Sequence, residues 1–230
     1  MSLSVGACWC THFSGVSGLL WYRRLRYAYR APAFFIDRMI GRGAGIEFLR
    51  FDDKVSAADL DGASSQLATD VDILYVSSHG ATDSSGYRVV LHSGEWRPVL
   101  GGLGHENPAV IVFDTCDLVD LSDPTWASLW EHSTVGKALR IVLGFSSPAT
   151  VSQATSIRGL AFVDNLERGD TFADAWMGAI YSTRYQGTDI PVVLGFGDDQ
   201  HDAHSALNNA SLSAMPGPRM QTIPTVVRYP

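Results

Sequence analysis

A histidine and a cysteine, two residue types that carry out acyl chemistry, each follow an apolar segment of this chain. Residues 71–76 lead into Ser-Ser-His79-Gly80, and residues 110–113 lead into Asp-Thr-Cys116. A cysteine thiol attacks carbonyls once a base takes its proton, and histidine titrates in the range that suits such a base. The pair predicts attack by Cys116, with His79 as general acid and base.

Gly80, directly after the histidine, adds a second chemical feature. Because glycine has no Cβ, its backbone N–H can come close to an oxygen that develops negative charge during acyl transfer. Together with the N–H of Cys116, the Gly80 N–H is expected to form a two-donor oxyanion hole.

The segments that must position these residues predict an α/β fold. Nearly continuous apolar runs are typical of strands buried on both faces of a mainly parallel sheet. They occur at residues 46–51, 71–76, 110–113, 138–145 and 191–196. Helix-compatible segments lie between them at 57–69, 123–133, 152–168 and 171–185. In a parallel sheet the groups that follow the strands collect at one edge, so His79 and Cys116 are expected to meet there.

An insertion and a tail complete the predicted domain. Residues 87–91 and 96–100, joined through Ser93-Gly94, predict a β-hairpin between two core strands. The proline-containing segment from about 210 to 230 predicts an extended tail with a candidate edge strand at Thr225–Tyr229. We expect residues 1–230 to form a single α/β domain, in which helices flank a mainly parallel sheet.

The composition narrows the class of protein. Hydrophobic residues make up 46% of the 230 positions and the net charge is −7, which predicts a folded chain with no overall attraction to nucleic acid. No apolar run approaches the roughly 18 residues that a membrane span needs. The beginning lacks a basic segment followed by an apolar one, so a cytoplasmic location is expected.

Neither a disulfide framework nor a metal site is predicted. Cys8 and Cys10 would face one side of a strand, where both are expected to be core residues. His201 and His204 are half of a metal-ligand set without a second cluster, and a helix start explains them better. We therefore expect no metal and no cofactor.

The strand-Ser-His-Gly and strand-Asp-Thr-Cys segments together resemble the caspase, metacaspase, legumain and gingipain peptidases, the group called clan CD. The resemblance covers residues 71–147. In that group the His-Gly and the cysteine follow adjacent parallel strands. The resemblance implies that Cys116 is the nucleophile, His79 the general acid and base, and Gly80 an oxyanion donor.

The resemblance also implies a substrate pocket. Asp114 stands two residues before the cysteine, where metacaspases have an acid that binds a basic P1 side chain. Ser146 and Ser147 end the following strand, whose equivalent lines the S1 pocket. The sequence departs from the caspase signature Gln-Ala-Cys-x-Gly, because Asp117-Leu118 follows the nucleophile. A carboxylate at Asp117 would disfavour a thiolate beside it.

These features predict a cysteine peptidase that attacks a peptide or amide through an acyl-thioester. If Asp114 forms the floor of the pocket, the enzyme is expected to prefer a basic P1 residue. Two alternatives stay open. The same pair could transfer the acyl group to an amine, as a peptide ligase or cyclase does. The chain could instead be an inactive interaction module whose arginine-rich first fifty residues bind a partner.

Overall fold

Short strands and helices alternate along the chain. The structure, a computed structural model, describes residues 3–14, 24–60, 71–83, 86–97, 108–120, 122–123, 125, 130, 138–183, 189–218 and 225–229. The strands are β1 (Ser4–Trp9), β2 (Gly45–Phe51), β3 (Ile73–Ser77), β4 (His79–Asp83), β5 (Gly86–Leu91), β6 (Gly94–Trp96), β7 (Val110–Asp114), β8 (Ile141–Phe145), β9 (Pro191–Gly197) and β10 (Thr225–Tyr229). The α-helices are α1 (Arg30–Gly41), α2 (Ala57–Leu60), α3 (Arg158–Glu167), α4 (Phe172–Thr183) and α5 (Gln200–Asn209).

The main sheet has seven strands in the order β10-β9-β8-β7-β3-β1-β2. From β2 to β8 every neighbouring pair is parallel, whereas β9 runs antiparallel to β8 and β10 antiparallel to β9. The prediction of a mainly parallel α/β sheet is therefore confirmed. The predicted edge strand Thr225–Tyr229 is also present, as β10.

Four of the five apolar runs form central strands because both faces of the sheet are covered. The prediction is wrong for residues 46–51, which form the edge strand β2 and are mostly exposed or half-buried. Every residue of β3, β7, β8 and β9 is buried. Apolar residues of α1, α3, α4 and α5 pack on one face. On the other face, side chains of β5 and β6 pack against the sheet together with Leu60 and Trp130. Burial on two sides explains why these strands do not alternate between apolar and polar residues.

The predicted hairpin belongs to a separate three-stranded antiparallel sheet, β4-β5-β6. The second strand of the hairpin, β6, begins at Gly94 rather than at Trp96. Residues 98–100 of the predicted strand lie outside the described residues. β4, which begins at His79 itself, has no counterpart among the predicted strands. The chain therefore leaves the main sheet after β3, and His79 lies in the smaller sheet.

The predicted 152–168 and 171–185 helices are present as α3 and α4, whereas α1 has no counterpart among the predicted helices. The 152–168 segment contains a short 3-10 helix followed by α3, which ends before Gly169, and Gly169 has a φ of +93° as a helix-stopping glycine requires. Asp199 caps α5 by accepting a hydrogen bond from the Asp202 N–H, which confirms the helix start near His201. Most of the predicted 57–69 and 123–133 helices lies outside the described residues. Among the described helices, none has the length and apolar character of a membrane span.

Candidate active site

The ends of β3 and β7 bring the predicted catalytic residues to one edge of the sheet. β3 and β7 are neighbouring parallel strands, with Ser77 paired to Asp114. His79 follows the first of these residues by two positions and Cys116 follows the second by two positions. Both His79 and Cys116 are half-buried. The strand order thus places the two segments side by side, as the sequence predicts.

Gly80 packs directly against the backbone of Cys116. A Cβ built on Gly80 would overlap the Cys116 carbonyl oxygen and would lie 3.0 Å from the Cys116 nitrogen. Two residues further along β4, the Thr82 hydroxyl donates to the Asp117 carbonyl oxygen at 2.6 Å. The start of β4 and the Cys116 segment are therefore in backbone contact, and only glycine fits at position 80 without a shift.

Backbone amides surround the Cys116 sulfur. The Ala149 N–H donates to Sγ at 3.2 Å. The thiol in turn donates to the Ala149 carbonyl oxygen at 3.6 Å. The Gly80 N–H lies near the sulfur and favours its charged form. Burial raises the pKa of the Cys116 thiol above its ordinary value, as does the nearby Asp117, and the two amides only partly oppose this rise. Burial and Asp117 therefore favour the neutral thiol over the thiolate.

The raised pKa leads to a testable pH dependence. Alkylation needs the thiolate, so the rate of iodoacetamide modification of Cys116 is expected to rise about tenfold per pH unit throughout the neutral and mildly alkaline range. Mass spectrometry of the modified peptide measures this rate, and a Cys116→Ala protein gives the background from Cys8 and Cys10, whose pKa values burial also raises. A rate that is already constant below neutral pH would contradict the expectation, since it would indicate a preformed thiolate–imidazolium pair.

The ring of Phe13 packs on the predicted general base. The Phe13 and His79 ring centroids lie 4.8 Å apart. The segment after β1 that carries Phe13 is fixed to the hairpin, because the Ser14 N–H donates to the His92 carbonyl oxygen at 2.8 Å and the Ser14 hydroxyl bonds to His92 Nε2 at 2.8 Å. The segment after β1 thus packs against one side of the His79 imidazole.

Asp114, the predicted floor of a P1 pocket, has a cationic partner inside the protein. It is 4% exposed, and Arg158 Nη1 donates to its Oδ1 at 2.9 Å. The Tyr75 hydroxyl donates to Oδ2 at 3.3 Å. Burial raises the pKa of Asp114, with Arg158 opposing the rise and the second carboxylate, Asp189, adding to it. Asp114 is thus part of a buried ionic group.

Ser146 and Ser147 connect the end of β8 to the segment before β9. The Ser146 N–H donates to the Ile190 carbonyl oxygen at 3.0 Å, and Ser147 Oγ accepts from the Ile190 N–H at 2.9 Å. The Ser147 carbonyl oxygen in turn accepts from the Asp117 N–H at 3.1 Å. The structure therefore joins Ser147 to the Cys116 segment and both serines to Ile190, with Ser147 buried and Ser146 half-buried.

Four residues of this region were not found by the sequence analysis: Phe13, Ala149, Arg158 and Asp189. Asp189 stands just before the apolar run 191–196, for which the sequence pattern predicts a parallel strand that would begin at the opposite edge; the strand is antiparallel instead. Arg158 is a lone cation among small and apolar residues near the start of a helix. A charged residue in such a setting is a usable signal, because buried cations require partners.

The protein is thus an α/β protein with a histidine and a cysteine after adjacent parallel strands. Residues 22–212 match the model of a family described as a domain of unknown function, DUF6345, and the chain belongs to that family. A comparison with curated proteins gives no match. The crystal structure of protein GSU0716 from Geobacter sulfurreducens is similar in fold, with a TM-score of 0.57 and 13% identity over 93% of this chain and 100% of that chain.

Proposed function

We propose that this protein is a cysteine hydrolase of the caspase–legumain kind, which cleaves a peptide or amide bond through an acyl-thioester. The observation that carries the proposal is the backbone contact between Gly80 and Cys116 at the ends of adjacent parallel strands. This contact supports the juxtaposition of a nucleophile, an adjoining histidine and two backbone N–H donors, which acyl transfer requires.

The proposed reaction begins with a neutral thiol. As Cys116 Sγ attacks the carbonyl carbon, its proton passes to the His79 imidazole, which acts as a general base. The carbonyl oxygen becomes an oxyanion that accepts from the Gly80 and Cys116 N–H groups. The C–N bond then breaks, and the leaving nitrogen takes the proton from His79. Water, deprotonated by His79, attacks the thioester, which releases the acid and returns the proton to the sulfur.

The proposal does not include a basic P1 residue bound by Asp114. Arg158 already provides a guanidinium to that carboxylate, and both groups are almost fully buried. A second cation at the same site would require Arg158 to leave. We therefore propose substrates with an uncharged P1 side chain, next to Ser146.

A panel of fluorogenic peptides that differ at P1, assayed with four variants, tests this function. Cys116→Ala is expected to remove cleavage and the acyl-enzyme mass, and His79→Ala to lower kcat/KM by about 10²–10⁴-fold. Cys8→Ala, in the core, and His204→Ala, exposed on α5, are the matched controls and should leave kcat/KM unchanged.

Two outcomes would contradict the hydrolase. One is the absence of cleavage across the panel with Cys116 no more reactive than Cys8, which favours an interaction module. The other is an acyl-enzyme that forms normally but transfers its acyl group to an added amine and never to water, which favours a ligase or cyclase.

A further inference from the structure

A single buried arginine joins the elements around the Cys116 sulfur. Arg158, at the start of α3, is 1% exposed and lies between the carboxylates of Asp114 and Asp189. Its guanidinium also packs on the Phe145 ring, 4.9 Å from the centroid. We propose that Arg158 is the positioning residue that holds the loop after β8 against the sulfur of Cys116.

The connection to the sulfur runs through Asp189. One carboxylate oxygen, Oδ2, accepts from Arg158, and the other, Oδ1, accepts from the Thr150 N–H at 2.9 Å. Thr150 directly follows Ala149, whose N–H and carbonyl oxygen both contact Cys116 Sγ. Fixing Thr150 therefore fixes the amide that donates to the sulfur.

The other arm of Arg158 holds the strand that carries the nucleophile. Asp114 is the last residue of β7, two positions before Cys116. The same guanidinium thus ties the end of β7 to the loop after β8 and to the segment before β9. Two bonds at fixed angles from one planar group set the relative positions of these segments, which a lysine ammonium cannot do.

Stability alone does not account for this ionic group. Two buried carboxylates share one guanidinium, whose Nε has no hydrogen-bond partner among the residues that the structure describes. Buried ionic groups of this kind are often less stabilising than apolar residues of the same volume, and a positional role is the best-supported reason for keeping them. Its connection to the Cys116 sulfur through Asp189 and Thr150 assigns that role to the candidate active site, so the inference rests on the proposed function.

The experiment compares two buried arginines at opposite edges of the sheet. Arg140, before β8, is 7% exposed and bonds Asp202 and the Phe196 carbonyl oxygen. Arg158→Met and Arg140→Met are both expected to lower Tm. Only Arg158→Met should slow iodoacetamide modification of Cys116, by about tenfold, and shift its pH profile upwards, since the Ala149 N–H loses its fixed position.

Asp189→Asn separates positioning from charge, and it keeps the shape of the side chain. If only charge mattered, removing a negative group would favour the thiolate, and Cys116 would react faster. The amide has one oxygen for two donors, so its NH₂ group must face either Thr150 N–H or Arg158. Positioning therefore predicts slower modification of Cys116, the opposite sign.

The inference is overturned if Asp189→Asn leaves the rate unchanged or raises it, or if Arg158→Met and Arg140→Met have equal effects on Cys116. The proposed function fails separately. Its failure would appear as absent peptide cleavage and as an unchanged Cys116 rate in His79→Ala, while the Arg158 and Asp189 effects on the sulfur persist.

Discussion

Replacing Gly80 with alanine is expected to lower kcat/KM by about 10²–10³-fold, the usual effect of losing one oxyanion donor. The new methyl group cannot coexist with the Cys116 carbonyl oxygen, so β4 and the Cys116 segment must separate. Both the Gly80 N–H and the histidine before it would move with β4. Peptide cleavage and the rate of Cys116 alkylation measure the effect.

Gly41→Ala provides the control for this substitution. Gly41 ends α1, and a Cβ there would meet no heavy atom of the described residues within 4 Å. The control protein should keep its cleavage rate, and its Tm should stay the same or rise slightly, because alanine favours the helix more than glycine does. A Gly80→Ala protein that cleaves peptides as fast as the unchanged protein would show that the Gly80–Cys116 contact has no part in the reaction.

Phe113→Ala is expected to cause the largest loss of stability, about 3–5 kcal/mol of unfolding free energy. Phe113 is fully buried in β7, and its ring lies 5.9 Å from those of Tyr87 and Trp96, on β5 and β6. Removing the ring leaves a cavity between the two sheets. Denaturant unfolding gives the free energy.

Hydrogen exchange shows which strands lose stability in the Phe113→Ala protein. Amides of β4 and β5 should exchange faster in Phe113→Ala, because the small sheet loses its main aromatic contact with the large one. Phe113→Leu, which fills more of the cavity, should lose less stability and protect these amides better. Equal free energies for the two variants, or exchange confined to the far strands of the main sheet, would contradict this packing role.

The sequence was informative where one physical cause decides the structure. Burial on both faces selects continuous apolar runs, so β3, β7, β8 and β9 could be located and the ends of β3 and β7 identified as a candidate site. Residues 79 and 116 follow from the same rule, because groups after parallel strands share an edge. Predicting these two positions needed only local pattern.

The remaining features depend on contacts between distant segments. The pairing of His79 with Val90 creates β4, and no local pattern in His79-Gly-Ala-Thr-Asp83 announces a strand. The direction of β9 is set by its pairing with β8, which an apolar run does not encode. For this reason the sequence does not predict that Asp189 lies near Cys116, or that Arg158 binds it.

The reversed direction of β9 has a consequence for how this architecture tolerates changes in chain length. Because β9 starts where β7 and β8 finish, the connection that leads into Pro191 borders the reactive edge, through Asp189 and Ile190. Lengthening or shortening that connection would move Asp189, which binds the Thr150 N–H beside the Cys116 sulfur. The connection into Ile141 leads to the opposite edge, where Arg140 is bound, so a change in its length would leave these contacts in place.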